Sequence, residues 1–121
     1  DFSLLIYPVI TMDTTYTHRG SRDNLIGSVP TEKNVFRFSN EKQVNAETPP
    51  AFLVHSGDDN AVPVINSINY FEALVRNKVI AELHIFQKGG HGYGLARKGG
   101  TESSWPGLCL IWLKKNKIIP E

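Results

Sequence analysis

Apolar positions along the chain follow two kinds of pattern. Three short runs, residues 2–9, 51–55 and 81–86, are almost continuously apolar. Runs of this length without clean alternation are typical of strands in a parallel sheet that is covered on both faces. Between the second and third runs, residues 64–77 carry apolar side chains at helical spacing. The pattern therefore predicts a strand–helix–strand unit with a crossover long enough to join parallel strands.

A second helix is predicted near the end of the chain. Ser103 or Ser104 would be its N-cap, and Pro106 suits its first turn. Leu108, Ile111 and Trp112 would form its apolar face. We expect both tryptophans of this segment and its one cysteine to pack in the core. These residues are Trp105, Cys109 and Trp112.

Residues 11–50 form a long connection between the first two predicted strands. Turn signals occur at residues 18–21 and 27–30, and residues 24–27 are predicted to close a short helix that ends on Gly27. Connections of this length usually carry local helices or line a binding site.

Charge and hydropathy exclude several classes of partner. Thirteen Lys and Arg residues oppose twelve Asp and Glu residues, which leaves a net charge of +1 with the basic side chains mostly scattered. This balance gives no electrostatic basis for binding nucleic acid or an anionic membrane. No apolar run approaches the roughly 18 residues of a membrane span, and no signal peptide is visible. We therefore expect neither nucleic acid nor membrane as a partner.

Cofactor binding has equally little support. One cysteine excludes an internal disulfide and a multi-cysteine zinc site, and the four histidines are too dispersed for a metal-ligand motif. The glycines match neither the dinucleotide fingerprint nor the phosphate loop. We expect no metal and no cofactor.

His91 is the most informative candidate for chemistry, because it lies in the glycine-rich segment 88–94 directly after the third predicted strand. An imidazole there can accept and return a proton near neutral pH, although a lone loop histidine is often only solvated. Asp58 and Asp59 follow the second predicted strand. Since the carboxyl ends of parallel strands meet at one edge of a sheet, a carboxylate and the imidazole can come together there. The carboxylate would fix the tautomer of the histidine.

In these segments the chain resembles the C-terminal half of α/β-hydrolases, particularly small carbohydrate esterases and lipase-like enzymes such as acetylxylan-esterase-like proteins. The resemblance covers essentially the whole chain, and the spacing of Asp-x-x-Val-Pro in residues 49–63 and Gly-His-Gly in residues 81–94 carries it. It implies that Asp59 is the acid and His91 the base of a catalytic triad, with Asp58 as the runner-up for the acid. His55 and His84 are expected to be packed or hydrogen-bonded within their strands.

The nucleophile of the resembled family is a serine in the motif G-x-S-x-G, which precedes the acid and the histidine. No such motif occurs in these 121 residues. The resemblance therefore implies that the chain carries the acid and the base without the serine or the oxyanion-hole loop. We expect the isolated chain to be nearly inactive.

The fold class implied is α/β. Residues 1–121 would be the C-terminal part of one α/β-hydrolase domain with a doubly wound, mostly parallel sheet of about three strands and two to three helices. Such a sheet is incomplete on its own. Because the chain begins with Asp1 rather than Met, we expect a truncated or processed product. The free edge of the first strand would need a pairing partner, either absent sequence or a second copy of the chain.

The leading hypothesis is a fragment of a serine-dependent hydrolase of carboxylic esters. Its substrates would be small-molecule or polysaccharide esters, such as acetyl groups on plant polysaccharides, and peptide bonds stay open as an alternative substrate. The alternative function is a non-catalytic binding or assembly domain on a degenerate hydrolase scaffold. The joint presence of Asp59 and His91 favours the enzyme.

Overall fold

The computed structural model describes residues 1–96 and 99–120 and contains a parallel sheet. Strands β1 (Ser3–Ile6), β2 (Ala51–Ser56) and β3 (Ala81–Phe86) lie side by side in the order β1-β2-β3. Both strand pairs are parallel, as the apolar runs predict.

The first strand is shorter than the predicted 2–9. Tyr7 adopts a left-handed backbone conformation with φ of 43°, although its N–H still donates to the carbonyl of Val54 at 2.7 Å. A non-glycine residue with positive φ leaves the extended conformation. The strand therefore ends at Ile6, and the apolar residues after it belong to the following connection.

The central strand β2 forms the core of the molecule, because all six of its residues are buried. Phe52 and Val54 pack on one face against helix α4 (Trp105–Lys115), where Trp105, Cys109 and Trp112 are buried as predicted. The opposite face meets the helix that joins β2 to β3.

That crossover helix, α3 (Ile65–Arg76), packs its Leu74 against Ala51 and Leu53 of β2. Helices therefore cover both faces of the sheet, which is the doubly wound arrangement. The predicted bounds 64–77 differ from the observed ones by one residue at each end. Val75 is exposed, because the buried stripe of the helix runs through Asn66, Ser67 and Leu74 instead.

For the last helix, one expectation is wrong and one is confirmed only in part. Ile111 is exposed, because a helix that buries Cys109 and Trp112 turns position 111 outward. Ser104 is the N-cap residue, as predicted, but its hydroxyl makes no capping hydrogen bond. A 3₁₀ helix, Thr101–Ser104, precedes α4, so this hydroxyl donates back to the carbonyl of Thr101 at 2.8 Å.

The long connection carries local helices, namely α1 (Arg19–Ile26), α2 (Glu32–Phe38) and a short 3₁₀ helix, Asn40–Lys42. Helix α1 ends on Gly27 with φ of 83°, as predicted. Residues 18–21 were expected to form a turn, and this expectation is wrong. The His18 ring accepts the N–H of Ser21 and caps the first turn of α1.

The four α-helices in residues 1–96 and 99–120 exceed the two or three predicted, because α2 has little apolar periodicity to indicate it. Within the same residues, no helix is long and apolar enough to cross a membrane.

Candidate active site

Asp59 lies in the turn that leaves β2. Its carboxylate is buried, and Oδ1 accepts the backbone N–H groups of Ala61 at 2.9 Å and Val62 at 2.8 Å. Such bonds from an aspartate to the backbone two and three residues ahead stabilise a tight turn. They leave Oδ2 directed away from the turn and available to other side chains.

His91 reaches this oxygen from the loop after β3. Its Nδ1 lies 2.8 Å from Oδ2 of Asp59, and 37% of its side chain is exposed. Gly90 before it has φ of 60°, a left-handed conformation that a side chain would strain. The glycine-rich segment thus turns sharply at the strand end and brings the imidazole back over the turn of Asp59.

The contact fixes how the histidine is protonated. Since an ionised carboxylate only accepts hydrogen bonds, Nδ1 carries the proton and donates it to Asp59. Nε2 is then the unprotonated nitrogen of the neutral ring. No side chain or backbone group of residues 1–96 and 99–120 bonds to it, so it can accept a proton from a reacting group.

Asp58, the runner-up for the acid, has a different partner. Its Oδ1 accepts the N–H of Gly90 at 2.9 Å. The side chain therefore ties the turn after β2 to the loop after β3. It supports the position of His91 through the backbone rather than through the imidazole.

Competing effects set the charge of Asp59. Burial of the carboxyl opposes ionisation, but the N–H of Val62, the His91 ring and the N–H of Ala61 all donate to the charged form. These hydrogen bonds outweigh the burial, so the pKa of Asp59 lies below its ordinary value. The site therefore contains a carboxylate that stays ionised at neutral pH.

His55 is packed and hydrogen-bonded as expected, but the sequence did not indicate its partner. The ring is fully buried, with Nε2 2.9 Å from the carbonyl of Val62 and 3.2 Å from Oδ2 of Asp59. Nδ1 lies 2.7 Å from the hydroxyl of Ser67 on α3. Burial lowers the pKa of His55 and outweighs the bond to Val62 and the charge of Asp59, which raise it.

His84, the other strand histidine, has its own partner. Its Nε2 lies 2.7 Å from a carboxylate oxygen of Glu82 on the same strand.

Two aromatic residues near His91 were not predicted. The ring of Tyr7 lies 4.5 Å from the imidazole and 4.9 Å from the ring of Tyr93 between ring centres. The Tyr7 hydroxyl accepts the N–H of Gly94 at 3.2 Å. Burial raises the pKa of Tyr93, which keeps its phenol neutral. The available signal was the position of Tyr7 near the end of the first apolar run.

In residues 1–96 and 99–120, no three or more His, Cys, Asp or Glu residues come together in a way that could hold a metal ion.

A parallel sheet covered by helices on both faces, with a carboxylate and a histidine after successive strands, defines this chain as part of an α/β-hydrolase fold. The chain belongs to the prolyl oligopeptidase family, whose model matches residues 3–116.

Relatives of known sequence or structure agree with this placement. The chain is 41% identical over 96 residues to endo-1,4-beta-xylanase B of Butyrivibrio fibrisolvens and 36% identical over 98 residues to an acetylxylan esterase of Xylanibacter ruminicola. These matches include 79% and 78% of this chain but only 15% and 20% of the relatives.

A solved structure, the acetyl ester-xyloside bifunctional hydrolase of Caldicellulosiruptor lactoaceticus, superimposes with a TM-score of 0.96 at 39% identity. The match covers 99% of this chain and 44% of that one. The chain thus corresponds to less than half the length of each of these three relatives.

Proposed function

We propose that residues 1–121 contribute the acid, Asp59, and the base, His91, of a serine-dependent hydrolase of carboxylic esters. The observation that carries this proposal is the 2.8 Å contact between Nδ1 of His91 and the buried, ionised carboxylate of Asp59. Two of the three relatives have names that refer to acetyl esters, and all three names refer to xylan or xylosides. Acetyl groups on xylan-type polysaccharides are therefore the substrates that we favour.

The proposed reaction is acyl transfer in two steps. Nε2 of His91 takes the proton of a serine hydroxyl as the serine oxygen attacks the ester carbonyl, and the proton then passes to the leaving alcohol. Water attacks the acyl-enzyme next, with His91 again accepting a proton, which it returns to the serine oxygen as the carboxylic acid is released. Asp59 stays ionised throughout and stabilises the imidazolium.

The nucleophile in this proposal lies outside residues 1–121. The sequence has no G-x-S-x-G motif, and each of its serines lacks the strand-to-helix turn that exposes a nucleophile. We therefore expect the 121-residue chain alone to turn over an activated acetyl ester at a negligible rate and to resist labelling by a fluorophosphonate. Ordinary esterase rates with stoichiometric labelling of this chain would contradict the proposal.

The positive test uses the full-length protein, meaning the longer chain that would supply the serine in this proposal. The variants His91→Ala and Asp59→Asn should each lower kcat by about 10³- to 10⁴-fold, because the base and its orienting carboxylate act as one unit. His84→Gln is the matched control, since His84 also bonds a carboxylate but contacts Glu82 instead of Asp59. Its kcat should stay within about twofold of the unmodified protein.

The substrate class is tested in the same assays. Acetylated xylo-oligosaccharides should be deacetylated, with loss of this activity in His91→Ala. A proline-containing peptide is assayed beside them, because the family to which the chain belongs is named for oligopeptidases. Cleavage of the peptide without deacetylation would retain the acid and base assignment and overturn the proposed ester specificity.

A further inference from the structure

Both oxygens of the Asp59 carboxylate accept hydrogen bonds. Oδ1 receives two backbone N–H groups from the turn, and Oδ2 faces both Nδ1 of His91 at 2.8 Å and Nε2 of His55 at 3.2 Å. Nε2 of His55 donates its hydrogen bond to the carbonyl of Val62 at 2.9 Å, so its approach to Oδ2 is a second, longer contact. The carboxylate cannot rotate without losing at least one of these bonds.

The contacts of His55 determine its tautomer. Nε2 faces only acceptors, the Val62 carbonyl and the Asp59 carboxylate, and therefore carries the proton. Nδ1 is then an acceptor for the hydroxyl of Ser67 at 2.7 Å. Because the ring is fully buried, its neutral form is favoured over the imidazolium.

We propose that His55 is a positioning residue. Its Nε2–H donates to the carbonyl of Val62, whose own N–H binds Oδ1 of Asp59, and the same Nε2 lies 3.2 Å from Oδ2. His55 thereby holds the carboxylate in place against His91. Ser67 on α3 fixes the tautomer in which the donation is possible. The inference rests on the proposed function, in which Asp59 and His91 are acid and base. It extends that pair by two buried side chains, His55 and Ser67, and so links the helix and the central strand to the two loops.

This arrangement explains why a polar ring lies in the mostly apolar strand β2. His55 is the fifth of six buried strand residues, and Asp59 follows four positions later in the turn. A leucine in its place would fill similar space but leave the Val62 carbonyl without its donor and Oδ2 without the nearby Nε2–H. The buried carboxylate would lose part of its stabilisation, and its orientation toward His91 would be less well fixed.

The kinetic test compares two substitutions in the full-length protein. His55→Leu removes the donor and should lower kcat on an activated acetyl ester by about tenfold to a hundredfold with little change in KM. His55→Gln places an amide N–H near the position of Nε2 and should recover kcat to within about fivefold of the unmodified protein. His84→Leu, on the neighbouring strand, is the control and should leave kcat unchanged.

Ser67→Ala keeps the inference testable if the His55→Leu protein fails to fold. It keeps the imidazole and removes only the hydroxyl, so kcat should fall by about two- to tenfold at constant KM. Equal kcat in the unmodified protein and in folded Ser67→Ala and His55→Leu would overturn the inference. Equal losses of kcat in His55→Leu and His55→Gln would also overturn it. They would show that an N–H donor at this position makes no difference and that the ring acts only by filling space.

A spectroscopic measurement tests the hydrogen bonding without turnover. Long-range proton–nitrogen NMR correlations should show His55 as the neutral Nε2–H tautomer at neutral pH, and either the Nδ1–H tautomer or an imidazolium would contradict the inference. Failure of the proposed function would give a different result from failure of the role proposed for His55. An unmodified protein as inactive as His91→Ala contradicts the function itself, whereas activity lost in His91→Ala but intact in His55→Leu contradicts only the role of His55.

Discussion

At the scale of single residues, the position of the His91 imidazole depends on the neighbouring rings as well as on its contact with Asp59. Tyr7 packs its ring 4.5 Å from the His91 ring, and does so from a backbone with φ of 43°. Non-glycine residues in this conformation are strained, and such strain persists only where surrounding contacts hold it. The contacts of Tyr7 with His91, Tyr93 and Gly94 supply that restraint.

Truncation of the Tyr7 ring should therefore make the position of the His91 imidazole less well fixed. Tyr7→Ala in the full-length protein is expected to lower kcat by up to about tenfold, the equivalent of one aromatic contact. Tyr7→Phe keeps the ring and should stay within about threefold, since it loses only the hydroxyl that accepts from Gly94. Steady-state kinetics measure both. Tyr16→Ala, at a half-exposed tyrosine in the long connection, is the control, and a similar loss there would contradict the argument.

At the scale of elements, two glycines, one in a helix and one in a loop, test how backbone conformation affects stability. A Cβ added to Gly90 or to Gly107 would meet no atom within 4 Å, so packing does not distinguish them. Gly107 lies in α4 and Gly90 has φ of 60°. Gly107→Ala should raise the free energy of unfolding by about 0.5–1 kcal/mol, because alanine favours the helix. Gly90→Ala should lower it by about 1–2 kcal/mol through left-handed strain.

Urea denaturation of both variants measures these differences. The two substitutions add the same methyl group, so each is the control for the other. Shifts of the same sign would show that backbone conformation is not the deciding factor.

The elements themselves could largely be predicted from local pattern. Strand β3 has the predicted bounds and α3 differs by one residue at each end, because apolar runs and helical spacing are local signals. Asn66 could not be predicted as a buried residue. Its Oδ1 accepts the N–H groups of Ile10 and Thr11, each at 3.0 Å, from the far side of the long connection. Only tertiary structure reveals such partners.

The candidate site likewise has one contact that could be predicted from the sequence and one that could not. The meeting of Asp59 and His91 could be predicted, because both follow parallel strands and the carboxyl ends of neighbouring strands lie together. The contact of His55 with Asp59 could not. It depends on which face of β2 meets Ser67 of α3, and a continuously apolar strand gives no alternation from which to read that face.

At the scale of the whole molecule, the start of α3 is where the parts of the site meet. Ser67 bonds to His55, and neighbouring Asn66 donates to the carbonyls of Tyr16 at 2.8 Å and Pro63 at 2.9 Å. One turn of helix therefore holds the central strand, the long connection and the turn of Asp59. Order in this site is coupled to the folding of the whole chain rather than to one loop.

This coupling predicts how stability depends on pH. The folded-state pKa values of both His55 and Asp59 lie below their ordinary values of 6.5 and 3.8. Between each folded pKa and the ordinary value, the unfolded chain binds more protons than the folded one, so folding is disfavoured as pH falls. The contribution of His55 is complete above its ordinary value and is lost as pH falls from there to its folded pKa. That of Asp59 is lost at more acidic pH.

The variants His55→Gln and Asp59→Asn should separate these two losses. Urea denaturation, followed by the fluorescence of the buried Trp105 and Trp112, measures the free energy of unfolding at a series of pH values. Between pH about 8 and about 5 the unmodified protein should lose more stability than His55→Gln, whatever their absolute difference. Below that range, the free energy of unfolding should fall less steeply with pH in Asp59→Asn than in the unmodified protein. Parallel curves for the unmodified protein and His55→Gln would mean that His55 is not held neutral by its burial, since only a group whose pKa differs between the two states contributes to the slope.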